Sequence, residues 1–409
     1  MKRIIILIDG TWDKEGSGGD TNVAKLDPGN SAAGSALIKA LGDDGLEQRV
    51  VYHAGVGTDD NLFKRWLGGA IGLGLKALVL DAYGSLVNLY ENGDDIFVIG
   101  FSRGAYAARA LVGMIGASGI VRHDIPANRE AAWAHYRVRP SVRLAPDTAT
   151  GADAKAINDL KSLHDADGIH PDNRVKCVAV WETVGSYGVP AGFGLAPLAR
   201  YIALATLGFH DTSLGDHVEV GLHAVGIDER RRPFVPTFWT IRKGQRPKGA
   251  VEQTWFAGEH GNVGGGQPDS GLSNEALLWM IARMQALTAL KFDIDAVKVV
   301  AAHANVDGEV YDSTKGWFID HTWPHLRKVL SPDAIVHGYF TNSIDDSYEH
   351  INEWVHWSAI KKRGRRCTIF GSKDEPYAPP NLPQSIPNDK IADITAEERI
   401  FLGTSSEEA

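Results

Sequence analysis

The chain has 409 residues, 44% hydrophobic and 23% charged, an ordinary globular composition with room for one large α/β domain carrying insertions or for two domains. A formal net charge of −9 argues against a general nucleic-acid-binding role, and two cysteines, Cys177 and Cys367, are too few for a disulfide framework or zinc ribbon and fit a reducing compartment. The opening MKRIIILIDG is shorter in apolar length than a signal-peptide core, and no stretch approaches the roughly 18 uninterrupted apolar residues of a membrane span.

Residues 4–8 read as a first buried strand ending in Asp9-Gly10-Thr11-Trp12, and in a parallel sheet the carboxyl end of a strand is where ligands bind, which makes Asp9 and Trp12 substrate-lining candidates. Strand-Asp-Gly-Thr is also half of the D-x-D-G-T signature of aspartate-nucleophile phosphatases. The residue two before Asp9 is Leu7, so that chemistry lacks its nucleophile. Two readings stay open for the turn: the N–H groups of Gly10 and Thr11 supply half of an oxyanion hole, or Asp9 caps its own turn. Tyr52 and His53 then read as a short strand entering a glycine loop. Leu75, Leu78, Val79, Ala82, Leu86, Leu89 and Tyr90 recur at helical spacing, which predicts an amphipathic helix packed on the sheet rather than on a membrane.

The stretch 96–109, IFVIGFSRGAYAAR, joins a strand, a tight turn and a helix at one hydroxyl. Ile96, Phe97, Val98 and Ile99 form an apolar run, and Gly100-Phe101-Ser102-Arg103-Gly104 then fits G-x-S-x-G. Glycines two before and two after the serine let neighbouring backbone pass close by, so Ser102 is expected exposed at a helix N-terminus as a nucleophile, with the Arg103 N–H as an oxyanion donor. Residues 122–174 lose the strand rhythm and suggest a cap. The run VKCVAVW (175–181) restores the sheet and ends at Glu182, placed as a triad acid should be. A second cap insertion is expected across about 190–250, with a helix in 192–207, and Asp228 and Glu229 are rival acids. Residues 252–256 form a late strand that feeds His260 onto a glycine-flanked loop, as the general base. The remaining histidines show no metal-helix spacing, so no metal site is read. The basic run at 361–366 reads as solvated surface.

Together IDGT, TNV, GVGT, GDDIFVIGFSRGAYAAR, VWETVG, HAVGIDERRRPF, the glycine-flanked His260 and YAPPNLP (377–383) resemble a family of serine α/β-hydrolases, the catalytic domain of type VI secretion phospholipase effectors. The resemblance implies an α/β-hydrolase fold, a mostly parallel sheet with helices on both faces and cap insertions. It also implies phospholipase A-type ester hydrolysis by a Ser-Asp-His triad with no cofactor, with Ser102 and His260 carrying over directly. Two positions depart from the family pattern: Glu182 stands where it usually has Asp in W-D-T-V-G, and Asn262 stands where it has Asp two residues after the histidine.

The expected function is therefore a serine esterase or lipase acting on phospholipid or other lipid acyl esters, touching a membrane surface transiently, with no protein partner assigned. The hydrolase domain is expected over 1–383, followed by a short tail, 384–409, in which Thr395 and Glu398 form a capping box that opens one small helix. The chain is expected in the cytoplasm or exported by a route that needs no signal peptide. The alternatives are a cytoplasmic small-ester or thioester hydrolase, and a non-catalytic binding protein in which Glu182 does not reach His260.

Overall fold

Ile4, Ile5, Ile6, Leu7 and Ile8 are all fully buried, which a strand achieves only when both faces of its sheet are covered. Ile4, Ile6 and Ile8 belong to one apolar core and Ile5 and Leu7 to another, as the two-residue period of a strand requires. The computed structural model describes residues 1–10, 19–30, 36–55, 71–184, 214–315, 321–322, 324–331 and 348–403.

The strands are β1 (Arg3–Ile8), β2 (Gln48–His53), β3 (Asp95–Phe101), β4 (Val175–Trp181), β5 (Val218–Gly226), β6 (Thr240–Arg242), β7 (Ala250–Phe256), β8 (Tyr348–His350), β9 (Glu353–His356), β10 (Arg366–Ile369), β11 (Ser372–Pro376) and β12 (Ile391–Ala392). Eight form one sheet in the order β12-β9-β7-β5-β4-β3-β1-β2, and every pairing in it is parallel. The pairs β6–β8 and β10–β11 are small antiparallel ribbons. The helices used below are α1 (Asn22–Leu26), α2 (Ile71–Leu89), α3 (Arg103–Ser118), α4 (Pro126–Arg137), α5 (Gly151–Asp165), α6 (His260–Gly264), α7 (Gly271–Leu287), α8 (Ile294–Ala301), α9 (Trp357–Lys362) and α10 (Ala396–Leu402). The expected α/β architecture is the one observed.

Leu78, Val79, Ala82 and Leu86 of α2 enter the core that holds Ile4 and Val98, so the predicted amphipathic helix does pack on the sheet. No described helix is long and apolar enough to cross a membrane. In 122–174, α4 and α5 add Ala132 and Leu160 to that same core, and Ser118 Oγ ties α3 to α4 by donating to the Ala132 carbonyl at 2.7 Å.

Three expectations need correction. The span 190–250 is not simply an insertion, because β5 within it is an interior strand between β4 and β7; its earlier part, including 192–207, lies outside the described residues. The segment after 383 is not an appended tail. Its β12 forms the sheet edge, and Phe401 of α10 enters the second core, while Thr395 and Glu398 do form the capping box. The basic run is not all solvated either: Lys362 is fully buried, its Nζ donating to the carbonyls of Val306 and Gly308, while Arg365 and Arg366 pair with Asp307 and Asp374.

One buried acid on α7 has a pH signature. Burial, with Glu398 nearby, pushes the Glu275 carboxyl up to about 7 from 4.5. The unfolded chain thus releases this proton at lower pH than the fold does, so the group costs stability as pH rises from about 4.5 to about 7. Glu275→Gln is expected to match the parent in urea unfolding near the bottom of that window and to exceed it by roughly 3 kcal/mol above the window.

Candidate active site

Strand β1 has β2 on one side and β3 on the other, so the strand order switches direction there, and in α/β sheets the carboxyl ends of the strands at such a switch are where ligands bind. Asp9 and Ser102 leave the sheet at that point. The G-x-S-x-G glycines have measurable reasons to lack a side chain: a Cβ on Gly104 would sit 2.0 Å from the Ile8 carbonyl oxygen, and one on Gly100 would sit 2.5 Å from that of Gly104. Between them Ser102 adopts φ 57° and ψ −118°, a conformation a non-glycine residue rarely takes. Its N–H is held by the Trp181 carbonyl at 3.1 Å, which ties the turn to the end of β4. Arg103 is the first residue of α3, where peptide N–H groups point out of the helix end. Its guanidinium is lowered to about 10 by burial.

Ser102, His260 and Glu182 come together from three separate strand ends. His260 Nε2 lies 2.8 Å from Ser102 Oγ, and His260 Nδ1 lies 2.9 Å from Glu182 Oε2. All three residues are nearly or fully buried, and Ser102 itself is only 2% exposed. The expected exposure of the serine is thus not seen. The His260 ring lies over it, and Gly10 lies so close that a Cβ there would meet Ser102 Cβ at 3.3 Å.

His260 opens α6 rather than sitting on a loop. Glu259 caps that helix by accepting from Gly261 N and Asn262 N, while the Asn262 side chain accepts from Glu259 N. The imidazole ring rests between Phe101, with centroids 4.8 Å apart, and Phe234, perpendicular at 5.0 Å. Glu182 adopts φ 51°, a second left-handed non-glycine residue, and its N–H still continues the ladder by bonding the Ala224 carbonyl. Burial opposes its charge, but the Arg327 guanidinium and His260 outweigh it and hold the carboxyl well below the usual carboxylate range. Arg327 was not singled out in the sequence.

The rival acids do other work. Asp228 Oδ2 accepts from Gly258 N and from Tyr377 Oη, both at 2.7 Å, and burial raises its carboxyl. Glu229 forms a fork with Arg231 and accepts, at 3.3 Å, from the backbone N–H of His260 rather than from its ring. Arg231 holds the Glu229 carboxyl well below the usual carboxylate range against the opposing effect of burial. At the end of β1, Asp9 is fully buried and accepts from Gly10 N (2.7 Å), Thr21 Oγ1 (2.5 Å) and Tyr52 Oη (2.8 Å). This is the turn-capping alternative. The Gly10 N–H is bonded to Asp9. Thr11 and Trp12 lie outside the described residues, as does 56–58 of the GVGT motif. No group of three or more metal-ligating side chains occurs among the described residues.

A family model described as the type VI secretion phospholipase effector Tle1-like catalytic domain matches residues 2–283. The chain belongs to this family. Over 148 residues it is 29% identical to an uncharacterized protein of Saccharomyces cerevisiae, YEL023C, a match that takes in 33% of this chain and 20% of the yeast protein. Among solved structures it is similar to an uncharacterized protein from Pseudomonas aeruginosa (17% identity, TM-score 0.37, 74% of this chain and 50% of that one). It is also similar to the Tle1 effector bound to the VgrG spike of the type VI secretion system (16% identity, TM-score 0.27, 65% and 52%). The chain thus spans a fifth of the yeast relative and about half of each solved chain.

The two departures from the Tle1-like pattern have local explanations. Asn262 Nδ2 donates to the Glu309 carbonyl at 2.9 Å while Oδ1 accepts from Tyr311 N at 3.1 Å, a pairing an ionised Asp could not make on the donor side. Glu182, one methylene longer than Asp, has its carboxylate gripped by Arg327 through Nη1 to Oε1 at 2.7 Å and Nη2 to Oε2 at 2.9 Å.

Proposed function

We propose that this Tle1-like domain is a serine hydrolase that cleaves lipid acyl esters, phospholipids foremost, with Ser102 as nucleophile, His260 as general base and Glu182 as orienting acid. The observation that carries the reading is the continuous relay from Ser102 Oγ through both ring nitrogens of His260 to Glu182, at 2.8 and 2.9 Å. Ser102 Oγ attacks the ester carbonyl as His260 Nε2 takes its proton. The carboxylate of Glu182, ionised because Arg327 keeps it so, fixes Nδ1–H and stabilises the imidazolium. Developing charge on the carbonyl oxygen is met by the Arg103 N–H at the start of α3, a donor worth about 3 kcal/mol of barrier. His260 then returns the proton to the leaving alcohol, and water releases the acyl group by the same steps. Export by the type VI route accompanies the family and is part of the proposal.

The acid gives the finer test. Glu182→Gln is expected to lose about 10⁴-fold in kcat, since an amide holds the wrong imidazole tautomer and no longer stabilises the cation. Glu182→Asp is expected to retain part of the activity, the shorter acid being the family's own residue. Asp228→Asn, which keeps an acceptor for Gly258 N and Tyr377, stays folded and largely active. Hydrolysis of a soluble 4-nitrophenyl ester and of phosphatidylglycerol vesicles, measured side by side, checks these and separates a lipid hydrolase from a small-ester one. Glu182→Gln at parental rate with Asp228→Asn inactive reverses the acid assignment.

A further inference from the structure

The match to the family covers residues 2–283, yet the arginine that grips the proposed acid, Arg327, comes from further along the chain. Arg327 has a side chain only 2% exposed, and all four N–H directions of its two terminal nitrogens are used: Glu182 Oε1 and the Gly226 carbonyl from Nη1, Glu182 Oε2 and the Phe234 carbonyl from Nη2. Gly226 closes the ring by donating its own N–H to Glu182 Oε1 at 2.6 Å. The carboxylate therefore has four partners, two from Arg327, one from Gly226 and one from His260. The backbone of Arg327 is itself fixed. Asn381, within the YAPPNLP motif that the proposed chemistry leaves unused, donates from Nδ2 to the carbonyls of Arg327 and Ile227.

A glutamate side chain has one more rotatable bond than aspartate, so its carboxylate needs an external restraint to hold one oxygen on Nδ1. A planar guanidinium forked onto both oxygens supplies that restraint, where a lysine would offer only a point charge. We infer that Arg327 is a positioning residue for the triad: its fork sets the plane of the Glu182 carboxylate so that Oε2 meets His260, and the segment after residue 283 thereby completes the active site. This rests on the serine-hydrolase reading above, and the test keeps the two apart.

The full chain is assayed on 4-nitrophenyl butyrate, with a fluorophosphonate probe as an independent report on Ser102. Arg327→Met is expected to lower kcat ~100-fold with KM changed less than about threefold, and Arg327→Lys to lower it about tenfold. The decisive readout is the background dependence. If Arg327 acts through Glu182, adding Arg327→Met to Glu182→Gln costs no more than about threefold further, whereas an independent structural role multiplies the two losses. Should Arg327→Met fail to fold, because it leaves Glu182 buried without its cation, Arg327→Lys in the two backgrounds gives the same cycle. Arg327 variants at parental kcat, or losses that multiply, overturn the inference while leaving an active, labelled parent as support for the hydrolase reading. A parent that neither labels nor hydrolyses takes both down.

Discussion

His260→Ala is expected to fold and to lose about 10⁶-fold in kcat on any ester the parent cleaves, the size of effect seen when a triad base is removed. The physical reason is that a serine hydroxyl is a weak nucleophile at neutral pH and needs a base to accept its proton as it attacks. Among the described residues His260 is the group that hydrogen-bonds Ser102 Oγ, at 2.8 Å. Folding should survive, because Glu182 keeps its bonds to Arg327 and Gly226 when the ring is gone. Far-ultraviolet circular dichroism and ester kinetics together check the prediction. An alanine variant within about tenfold of the parent would assign the base to another residue.

Ser102→Ala is expected to have an equally large effect, abolishing both hydrolysis and fluorophosphonate labelling. Its side chain makes no cap bond to α3, so its removal does not uncap that helix. What the position does cost the fold is backbone strain at φ 57°, and Ser102→Gly should relieve it, gaining about 1 kcal/mol in urea unfolding while remaining inactive. A gain in stability with total loss of activity at one residue is the pattern of strain held for function. Retained labelling in Ser102→Ala would place the nucleophile elsewhere.

The turn at Ser102 was legible because strand, glycines and helix are contiguous, and each glycine answers to a backbone contact a few residues or one strand away. The strands β1, β3 and β4 were legible for a similar reason: each is an uninterrupted apolar run buried on both faces. Strand β5 was not, since Glu219, Gly221, His223 and Gly226 break its apolar run although all but Glu219 are buried. His223 is accommodated there by bonds to Thr183 N and Gln253, partners 40 and 30 residues away. The short helix at His260 resembles a loop in sequence because glycines flank it, while its capping pair Glu259 and Asn262 lacks the serine or threonine that usually announces one. Arg327 was out of reach altogether. It lies 145 residues from Glu182 with no motif around it, and only the folded chain brings the two together.

The turn after β1 is held together by its own buried acid. Two readings stand for Gly10, oxyanion donor or part of a turn capped by Asp9, and its N–H bonds the fully buried Asp9 carboxyl, as the second describes. A buried carboxyl needs hydrogen-bond partners, and Asp9 accepts from Gly10, Thr21 and Tyr52 among the described residues. The rival reading as a non-catalytic binding protein required a Glu182 that cannot reach His260. The 2.9 Å contact between them removes that argument for it.

If one serine at one turn carries the chemistry, mapping a covalent adduct tests it most directly. The full chain is treated with a fluorophosphonate, digested, and the modified peptide sequenced by tandem mass spectrometry while residual ester hydrolysis is followed. A single adduct on Ser102, formed in step with loss of activity, is the predicted result. An adduct on a different serine in step with that loss, or full inactivation with Ser102 unmodified, contradicts it.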